Sequence, residues 1–228
     1  MSDKSLQNLV TVAQPRSAVS EAYRTLRTSI DFAGLDKPIK TLLVTSASPE
    51  EGKSSTLANL AVVSAQEGKR VIVVDCDLRR PSLHSIFNLS NTEGLTTALM
   101  NAEALKSPPL QGVGVDGLSV LTSGPIPPNP LELLGSRRLA DLLAALAEQA
   151  DLVMVDAPPV VAVADAAVLA SKVDAVLLVV QAGRAKRDYV ERAKLVLEKA
   201  NARIIGAALT NVQADSLMAR YYGAEGSR

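Results

Sequence analysis

Several chemically distinctive residue types are scarce in this sequence. Its 228 residues include one cysteine (Cys76), one histidine (His84) and no tryptophan. A single cysteine cannot form a disulfide within the chain, and we expect Cys76 to fill the core. A lone histidine without a second ligand is more often a surface residue or a hydrogen-bonded one than a metal ligand. Neither residue is assigned a functional role.

An excess of charge and a long apolar run are also missing. Lys plus Arg number 24 and Asp plus Glu number 24, so no global positive field attracts nucleic acid or an anionic membrane. The longest apolar runs, such as Ala175–Val180, are far shorter than the roughly 20 residues that a membrane helix needs. The first residues lack the basic and apolar regions of a secretory signal. We therefore expect a cytoplasmic protein, without direct membrane insertion or a nucleic-acid partner.

The hydrophobic residues that are present follow an alternating pattern. With 47% hydrophobic and 21% charged residues, the composition is that of an ordinary globular protein. Short runs rich in β-branched residues alternate with segments of helical spacing, which predicts a doubly wound α/β sheet of mostly parallel strands. The predicted strands cover residues 41–46, 70–75, 118–123, 152–157, 175–182 and 203–210, and the predicted long helices cover 54–68, 131–150 and 186–201.

We divide the chain into an N-terminal extension (1–16), a P-loop domain (17–212) and a flexible tail without periodicity (213–228). Within the domain, the irregular segment 88–117 is expected to form surface excursions near the site. The helix over 131–150 is expected to begin with Asn129 as N-cap, Pro130 at the first position and a capping-box contact from Glu132.

One loop has the form of a phosphate cradle. The segment "TSASPEEGKSS" (45–55) lies between a predicted strand and a predicted helix, which is the setting that a P-loop requires. In such a loop, backbone N–H groups surround the phosphates, a lysine reaches them and a hydroxyl binds Mg²⁺. The sequence therefore predicts an ATP or ADP site formed by Ser48, Pro49, Glu50, Glu51, Gly52, Lys53, Ser54 and Ser55.

Two features of the loop depart from the usual pattern. Ala47 stands where a glycine is preferred, and Glu50 and Glu51 lie where a triphosphate approaches. Because main-chain groups form the cradle, both glutamates can point their side chains into solvent, and alanine is the smallest substitute for glycine. The alternative is a glycine-poor strand-to-helix turn with a lysine that reaches solvent.

Carboxylates follow two of the predicted strands. Asp75 and Asp77 are two residues apart, so their side chains project to one face while Cys76 points to the other. Asp156 follows the run "LVMVD", as a Walker B carboxylate does. At the carboxyl edge of a parallel sheet these groups would meet the lysine of the loop, which predicts an ATP–Mg²⁺ site. A purely structural cluster of salt bridges is the alternative.

Together the motifs resemble the bacterial tyrosine kinases (BY-kinases) of capsule and exopolysaccharide export. "EAYRTLRTSI" (21–30), the P-loop, "VIVVDCDLRRP" (71–81), "GPIPPNPLELL" (124–134) and "LVMVDAPP" (152–159) occur in the family's order. The resemblance implies catalytic roles for Lys53, Asp75 and Asp77, and a Mg²⁺ shell of Ser54, Asp77 and Asp156. Asp75 would accept or orient the tyrosine hydroxyl, although the choice of base between Asp75 and Asp77 is left open.

The resemblance also implies further contacts. Asn211 matches the position of an adenine contact in related ATPases, and a turn former at a strand end is the alternative. Glu21, Arg24 and Arg27 match a motif that joins subunits of a ring, whereas a solvated face is the usual explanation of such a stripe. Tyr221 and Tyr222 match a tail cluster that neighbouring subunits phosphorylate in trans. A separate membrane-embedded activator, the polysaccharide co-polymerase, would recruit the chain to the inner face of the membrane and activate it.

Two other classes of protein share the predicted fold. Partitioning and cell-division ATPases carry a signature lysine near the start of the loop, and Ser48 occupies that position here. An ATP-binding adaptor without catalysis is the third interpretation, but Lys53 and the three aspartates argue against it. The sequence therefore favours a tyrosine autokinase that regulates polysaccharide synthesis and export.

Overall fold

The strand that leads into the predicted P-loop is β1 Thr41–Ser46, and the others are β2 Val71–Asp75, β3 Gln111–Gly112, β4 Leu118–Leu121, β5 Leu152–Asp156, β6 Ala175–Gln181 and β7 Ile204–Thr210. They form a seven-stranded sheet in the order β3-β4-β2-β5-β1-β6-β7, in which β1 lies between β5 and β6. A computed structural model describes residue 6 and residues 8–212. All described strand pairs are parallel except β3 with β4 at one edge. The predicted α/β class is confirmed, whereas the two-residue strand β3 was not predicted.

Helices cover both faces of the sheet. They are α1 Val10–Ala13, α2 Ala18–Ala33, α3 Lys53–Gln66, α4 Leu83–Ile86, α5 Leu95–Met100, α6 Ala102–Lys106, α7 Pro130–Gly135, α8 Arg137–Gln149, α9 Asp165–Ala170 and α10 Arg187–Lys199. In the described part of the chain, no helix is both long enough and apolar enough to cross a membrane. Tyr221, Tyr222 and the predicted tail lie outside the described residues.

The core consists of two layers, because each central strand buries both of its faces. Leu42 and Val44 of β1 pack in the layer that contains α3, and Leu43 packs in the layer that contains α8. Each fully buried leucine contributes about 1.5–3 kcal/mol, so the strand before the loop is firmly held. Leu6 and Leu9, from the predicted N-terminal extension, are also buried in the α3 layer.

The helix predicted over 131–150 is in fact two helices. Ser136 has extended backbone angles (φ −63°, ψ 154°), and its side chain accepts a hydrogen bond from the Leu139 N–H at 3.3 Å. This cap starts α8 and ends the continuity with α7. Pro130 is at the start of α7, but the side chain of Asn129 makes no capping bond, so the predicted capping contact is wrong.

Part of the segment 88–117 is core and not surface. Leu95 and Leu99 of α5 are fully or almost fully buried, which corrects the expectation of surface excursions there. Gly94 makes this packing possible, because a Cβ at that position would lie 2.2 Å from the Thr122 carbonyl oxygen. The backbone of residue 94 therefore lies directly against the end of β4.

Candidate functional site

The loop between β1 and α3 lies at the carboxyl edge of the sheet, where open α/β sheets bind their ligands. Lys53 is the first residue of α3, and Gly52 before it has a left-handed backbone (φ 85°). The first N–H groups of a helix have no partner within it, so those of α3 are available to an anion. The loop thus has the backbone geometry of a phosphate cradle.

The residue of this loop that has a strained backbone is Glu50 and not Ala47. Glu50 has φ 63°, a conformation that residues with a Cβ rarely adopt. Ala47 is not among the non-glycine residues of positive φ. Ala47 is fully buried and packs in the α8 layer. The backbone at position 47 therefore does not require a glycine.

The two glutamates of the loop have different surroundings. The Glu50 side chain is 69% exposed and lies 2.9 Å from the Arg184 guanidinium. Glu51 is only 3% exposed, and its Oε2 accepts a hydrogen bond from the Ser48 N–H at 3.0 Å. The expectation of solvent-facing side chains holds for Glu50 and is wrong for Glu51, whose carboxylate turns inward to accept the N–H of the half-buried Ser48.

Lys53 joins the loop to two of the predicted aspartates. Its Nζ lies 2.9 Å from Asp77 Oδ2 and 3.2 Å from Asp156 Oδ1, and it donates to Ser54 Oγ at 3.0 Å. Ser54 Oγ in turn donates to Asp156 Oδ2 at 2.6 Å. The structure therefore brings together Lys53, Ser54, Asp77 and Asp156, which the sequence had predicted to meet.

Asp75 lies behind this cluster. Its side chain has no exposed surface, and its oxygens accept hydrogen bonds from the backbone N–H groups of Asp77, Ser82 and Leu83. It pairs with Asp156 across β2 and β5. Asp75 therefore holds the chain that follows β2, and this geometry does not support direct contact with a tyrosine hydroxyl.

The buried charges shift one another's protonation. Burial lowers the pKa of Lys53, but the Asp156 and Asp77 carboxylates outweigh it, so the net pKa is raised. Burial, with the nearby Asp156 charge, raises the pKa of Asp75 to about 8. Burial also raises the pKa of Asp156, against the opposing effects of Lys53 and Ser54. The pKa of the Cys76 thiol is raised by burial and by the same carboxylates, so this residue is an unreactive part of the core.

A cavity of about 520 Å³ opens above the loop. Its wall contains Asp77 but neither Asp75 nor Asp156, and it is lined by loop and strand-end residues that include Pro49, Glu50, Gly52, Lys53, Ser54, Ser55, Arg79 and Arg80. Ser48 and Glu51, two predicted nucleotide-binding residues, do not line it.

The two arginines of the cavity wall were not predicted. Arg79 makes a bidentate pair with the fully buried Asp165, at 2.7 and 3.0 Å. The sequence signal was the basic pair Arg79 and Arg80, which begins two residues after Asp77. Asp165, the partner of Arg79, is 86 residues away and carries no comparable signal.

Asn211 lies outside the cavity that contains Lys53. It lines a second cavity of about 750 Å³ between α2 and β7, and its φ of 56° is that of a turn residue. The neighbouring Thr210 donates from its hydroxyl to the Glu51 carbonyl oxygen at 2.9 Å, so the end of β7 touches the loop. An adenine contact by Asn211 stays a prediction.

The charged stripe of α2 has partners within the chain. Arg24 lies 2.9 Å from Glu21 and donates to the Pro15 carbonyl oxygen at 2.8 Å. Arg27 lies 3.5 Å from Glu67, the C-cap residue of the neighbouring helix α3. These contacts neither require nor prevent an interface, so the predicted subunit contact stays a prediction.

Oxygen donors for a divalent cation are present beside Lys53. The Ser54 hydroxyl and the carboxylates of Asp77 and Asp156 are hard ligands of the kind that Mg²⁺ prefers. Within residues 6 and 8–212, no group of three or more His, Cys, Asp and Glu forms a preformed metal cluster. Mg²⁺ in nucleotide sites is usually held by one or two carboxylates together with phosphates and water, so the donor set fits it.

Comparison with known proteins supplies the family. Residues 38–215 match a family model described as ParA, NUBPL iron-transfer P-loop NTPase. The tyrosine-protein kinase YwqD of Bacillus subtilis is 43% identical over 203 residues, which span 89% of this chain and 85% of YwqD. The tyrosine-protein kinase etk of Escherichia coli K12 is 39% identical over 88% of this chain, a match that spans 28% of etk.

Solved structures show the same relationship. The chimerical protein CapA2B2 has a TM-score of 0.86 and 38% identity, with 91% of each chain covered. The kinase domain of the Escherichia coli tyrosine kinase ETK has a TM-score of 0.84 and 36% identity, and the match covers 91% of this chain and 82% of that domain.

Proposed function

The chain belongs to the bacterial tyrosine-protein kinases, a family of P-loop NTPases, and from this premise we propose that it is an ATP-dependent autokinase that phosphorylates its own tyrosines in trans. The observation that carries the proposal is Lys53, held between Asp77 and Asp156 at the mouth of a cavity beside a helix N-terminus. Phosphoryl transfer requires such an arrangement, because its catalysis consists mainly of positioning and of neutralising charge.

The loop would bind the phosphates of ATP. Residues 52–55 line the cavity at the start of α3, where backbone N–H groups would bind the phosphates and Lys53 would neutralise their charge. Lys53 now contacts two carboxylates, so binding of ATP exchanges part of these contacts for contacts with phosphate. Ser54 and Asp156, with Asp77 beside them, would hold Mg²⁺. When bound, this ion supplies positive charge to the phosphate oxygens.

Asp77 is our candidate for the proton acceptor, because it is the only one of the three aspartates in the described cavity wall. The tyrosine oxygen forms a bond to the γ-phosphorus, and the bond from that phosphorus to the β–γ bridging oxygen breaks. ADP leaves with the electron pair, and the hydroxyl proton passes to the Asp77 carboxylate. Asp75 positions Asp77 through the Asp77 N–H, at 3.2 Å.

The acceptor tyrosines that we propose are Tyr221 and Tyr222 of the tail. Transfer in trans requires two copies, so we also propose a homo-oligomer whose contact includes Glu21, Arg24 and Arg27. The match with etk covers 28% of etk. We further propose that a separate membrane-embedded partner recruits and activates this chain. With that partner at the inner face of the membrane, the kinase would regulate capsular or exopolysaccharide synthesis and export.

The experiment that tests the autokinase is phosphopeptide mass spectrometry after incubation with Mg-ATP and the cytoplasmic tail of a candidate partner. We expect phosphate on Tyr221 or Tyr222 in the wild type and none in Asp77→Asn, which keeps the size of the side chain. Parallel nucleotide-binding measurements show whether Asp77→Asn still binds ATP. Hydrolysis of ATP with both tyrosines unmodified would instead identify a switch ATPase.

The oligomer is tested by the double variant Arg24→Ala and Arg27→Ala. Light scattering should give a lower mass for this variant than for the wild type, with an unchanged circular dichroism spectrum. The matched control is Arg137→Ala with Arg192→Ala, which removes two exposed arginines from other helices. If the first variant keeps the wild-type mass, α2 does not form the contact.

A further inference from the structure

Glu51 is an unusual residue in a phosphate cradle, because its carboxylate is buried inside the loop and away from the cavity. It is 3% exposed and does not line the cavity beside Lys53. Its Oε2 accepts the Ser48 N–H at 3.0 Å, whereas its Oε1 is buried without a hydrogen-bond partner among the described residues. A negative charge near incoming phosphates is unfavourable, so attraction of the nucleotide does not explain its presence.

The contact closes the loop across its strained residue. Ser48 and Glu51 are joined at 3.0 Å, and Glu50 between them has the left-handed φ of 63°. A left-handed backbone is unfavourable for a residue that has a side chain, and it persists only where its surroundings hold it. The Glu51 carboxylate is one such restraint, and it acts in a loop whose glycine content is low.

Other contacts anchor the same short segment. Ser46 Oγ donates to the Ser48 carbonyl oxygen at 2.7 Å, and the Val160 and Val161 N–H groups donate to the carbonyl oxygens of Ser46 and Ala47. On the other side, Thr210 Oγ1 donates to the Glu51 carbonyl oxygen at 2.9 Å. Glu51 therefore links the half of the loop that is fixed on the segment after β5 to the half that is fixed on β7.

We propose that Glu51 is a positioning residue, whose side-chain bond to the Ser48 N–H holds the phosphate-binding loop in its binding shape before the nucleotide arrives. This inference rests on the proposed nucleotide site. Without the bond, a smaller fraction of molecules has the competent loop, and the apparent affinity falls by that fraction. Once ATP is bound the loop is ordered again, so the rate at saturation changes less than the affinity.

The test uses three substitutions of Glu51 in the full chain, with ADP binding measured by calorimetry and KM and kcat for ATP measured by autophosphorylation. Glu51→Gln keeps an oxygen at the same reach, whereas Glu51→Asp keeps the charge but is one methylene too short. Glu51→Ala removes both. Glu148→Ala, an exposed glutamate on α8, is the control.

We expect at least a fivefold rise in the Kd for ADP and in KM for Glu51→Asp and Glu51→Ala, with kcat within about threefold of wild type. Glu51→Gln should stay within about twofold of wild type in both constants. Because the Asp and Gln comparison suffices, the test survives if Glu51→Ala fails to fold.

Two results would overturn the inference. One is a lower melting temperature in Glu51→Asp with an unchanged Kd, which would mean a purely structural role. The other is weak binding in Glu51→Gln equal to that in Glu51→Asp, which would mean that charge or packing matters and the hydrogen bond does not. A wild-type chain that binds no ADP would instead remove the proposed nucleotide site itself.

Discussion

Replacing Lys53 by methionine should destabilise the protein as well as inactivate it. The lysine side chain is 12% exposed and lies between Asp77 and Asp156, whose side chains are 5% and 0% exposed. Removing one partner of a buried ion pair leaves uncompensated charge and costs about 3–5 kcal/mol. We expect a loss of this size at pH 8.5, which is a large part of the 5–15 kcal/mol typical of a domain.

The loss should depend on pH in a defined direction. The pKa values of Asp75 and Asp156 are already raised by burial, and Lys53 opposes both shifts, so its removal raises them further. When the pKa of a carboxyl group is higher in the folded state than its ordinary value of 3.8, the folded protein keeps the proton at pH values between the two, and the unfolded chain has lost it. In the wild type the Asp75 contribution makes stability fall as pH rises from about 4 and levels off above about 8, by up to roughly 1.4 kcal/mol per pH unit for one proton. In Lys53→Met the same fall continues to a higher pH.

The assay is urea unfolding at pH 5.5, 7.0 and 8.5, followed by circular dichroism because the chain has no tryptophan. Lys53→Met should be closest to wild type at pH 5.5 and least stable at pH 8.5. Lys106→Met is the matched control, since Lys106 and its partner Glu103 are 75% and 82% exposed. The electrostatic reasoning would be refuted if Lys53→Met were as stable as the wild type, or if its loss of unfolding free energy were the same at all three pH values. In activity assays, the rate of Lys53→Met therefore has to be divided by the fraction of the variant that is folded at the assay pH.

Three further substitutions test the loop and its supports. Gly94→Ala places a Cβ 2.2 Å from the Thr122 carbonyl oxygen, so the urea midpoint should fall by the equivalent of about 2–3 kcal/mol; an unchanged midpoint would contradict the close approach. Glu50→Gly removes the strain of the left-handed backbone and loses only an exposed ion pair. The free energy of unfolding should therefore rise or stay within about 1 kcal/mol of wild type. A larger loss would argue against strain at this residue. Arg79→Ala leaves Asp165 buried without its partner, so the free energy of unfolding in urea should fall by about 2–3 kcal/mol. Arg80→Ala should not cause this loss. Equal effects of the two substitutions would show that the pair with Asp165 is unimportant.

Much of the site could be predicted because parallel strands bring their carboxyl ends to one edge. Lys53 and Asp156 are 103 residues apart, yet the two strand patterns alone predict that they meet. The run "TLLVTS" gave both ends of β1, since buried β-branched runs have clear limits.

The remainder depended on contacts that leave no periodic signal. The inward turn of Glu51 is decided by the Ser48 amide, and the sequence does not distinguish it from its neighbour Glu50. The break at Ser136 was hidden because apolar spacing continues on both sides of it. Asp75 and Asp77 looked equivalent, and only the positions of three backbone N–H groups separate the buried aspartate from the one in the cavity wall.

The sheet order also sets the time at which the site comes into existence during synthesis. β1 pairs only with β5 and β6 among the described strands, so the strand that carries the loop has no neighbour until much later residues leave the ribosome. At about 5–20 residues per second, the 103 residues from Lys53 to Asp156 take roughly 5–20 s to be made. During most of that interval the nascent chain contains the phosphate-loop sequence and Asp77 but not Asp156, the second carboxylate that compensates the lysine. Nucleotide binding by the growing polypeptide is therefore a late event, and β1 is an unpaired apolar strand that chaperones can recognise until β5 arrives.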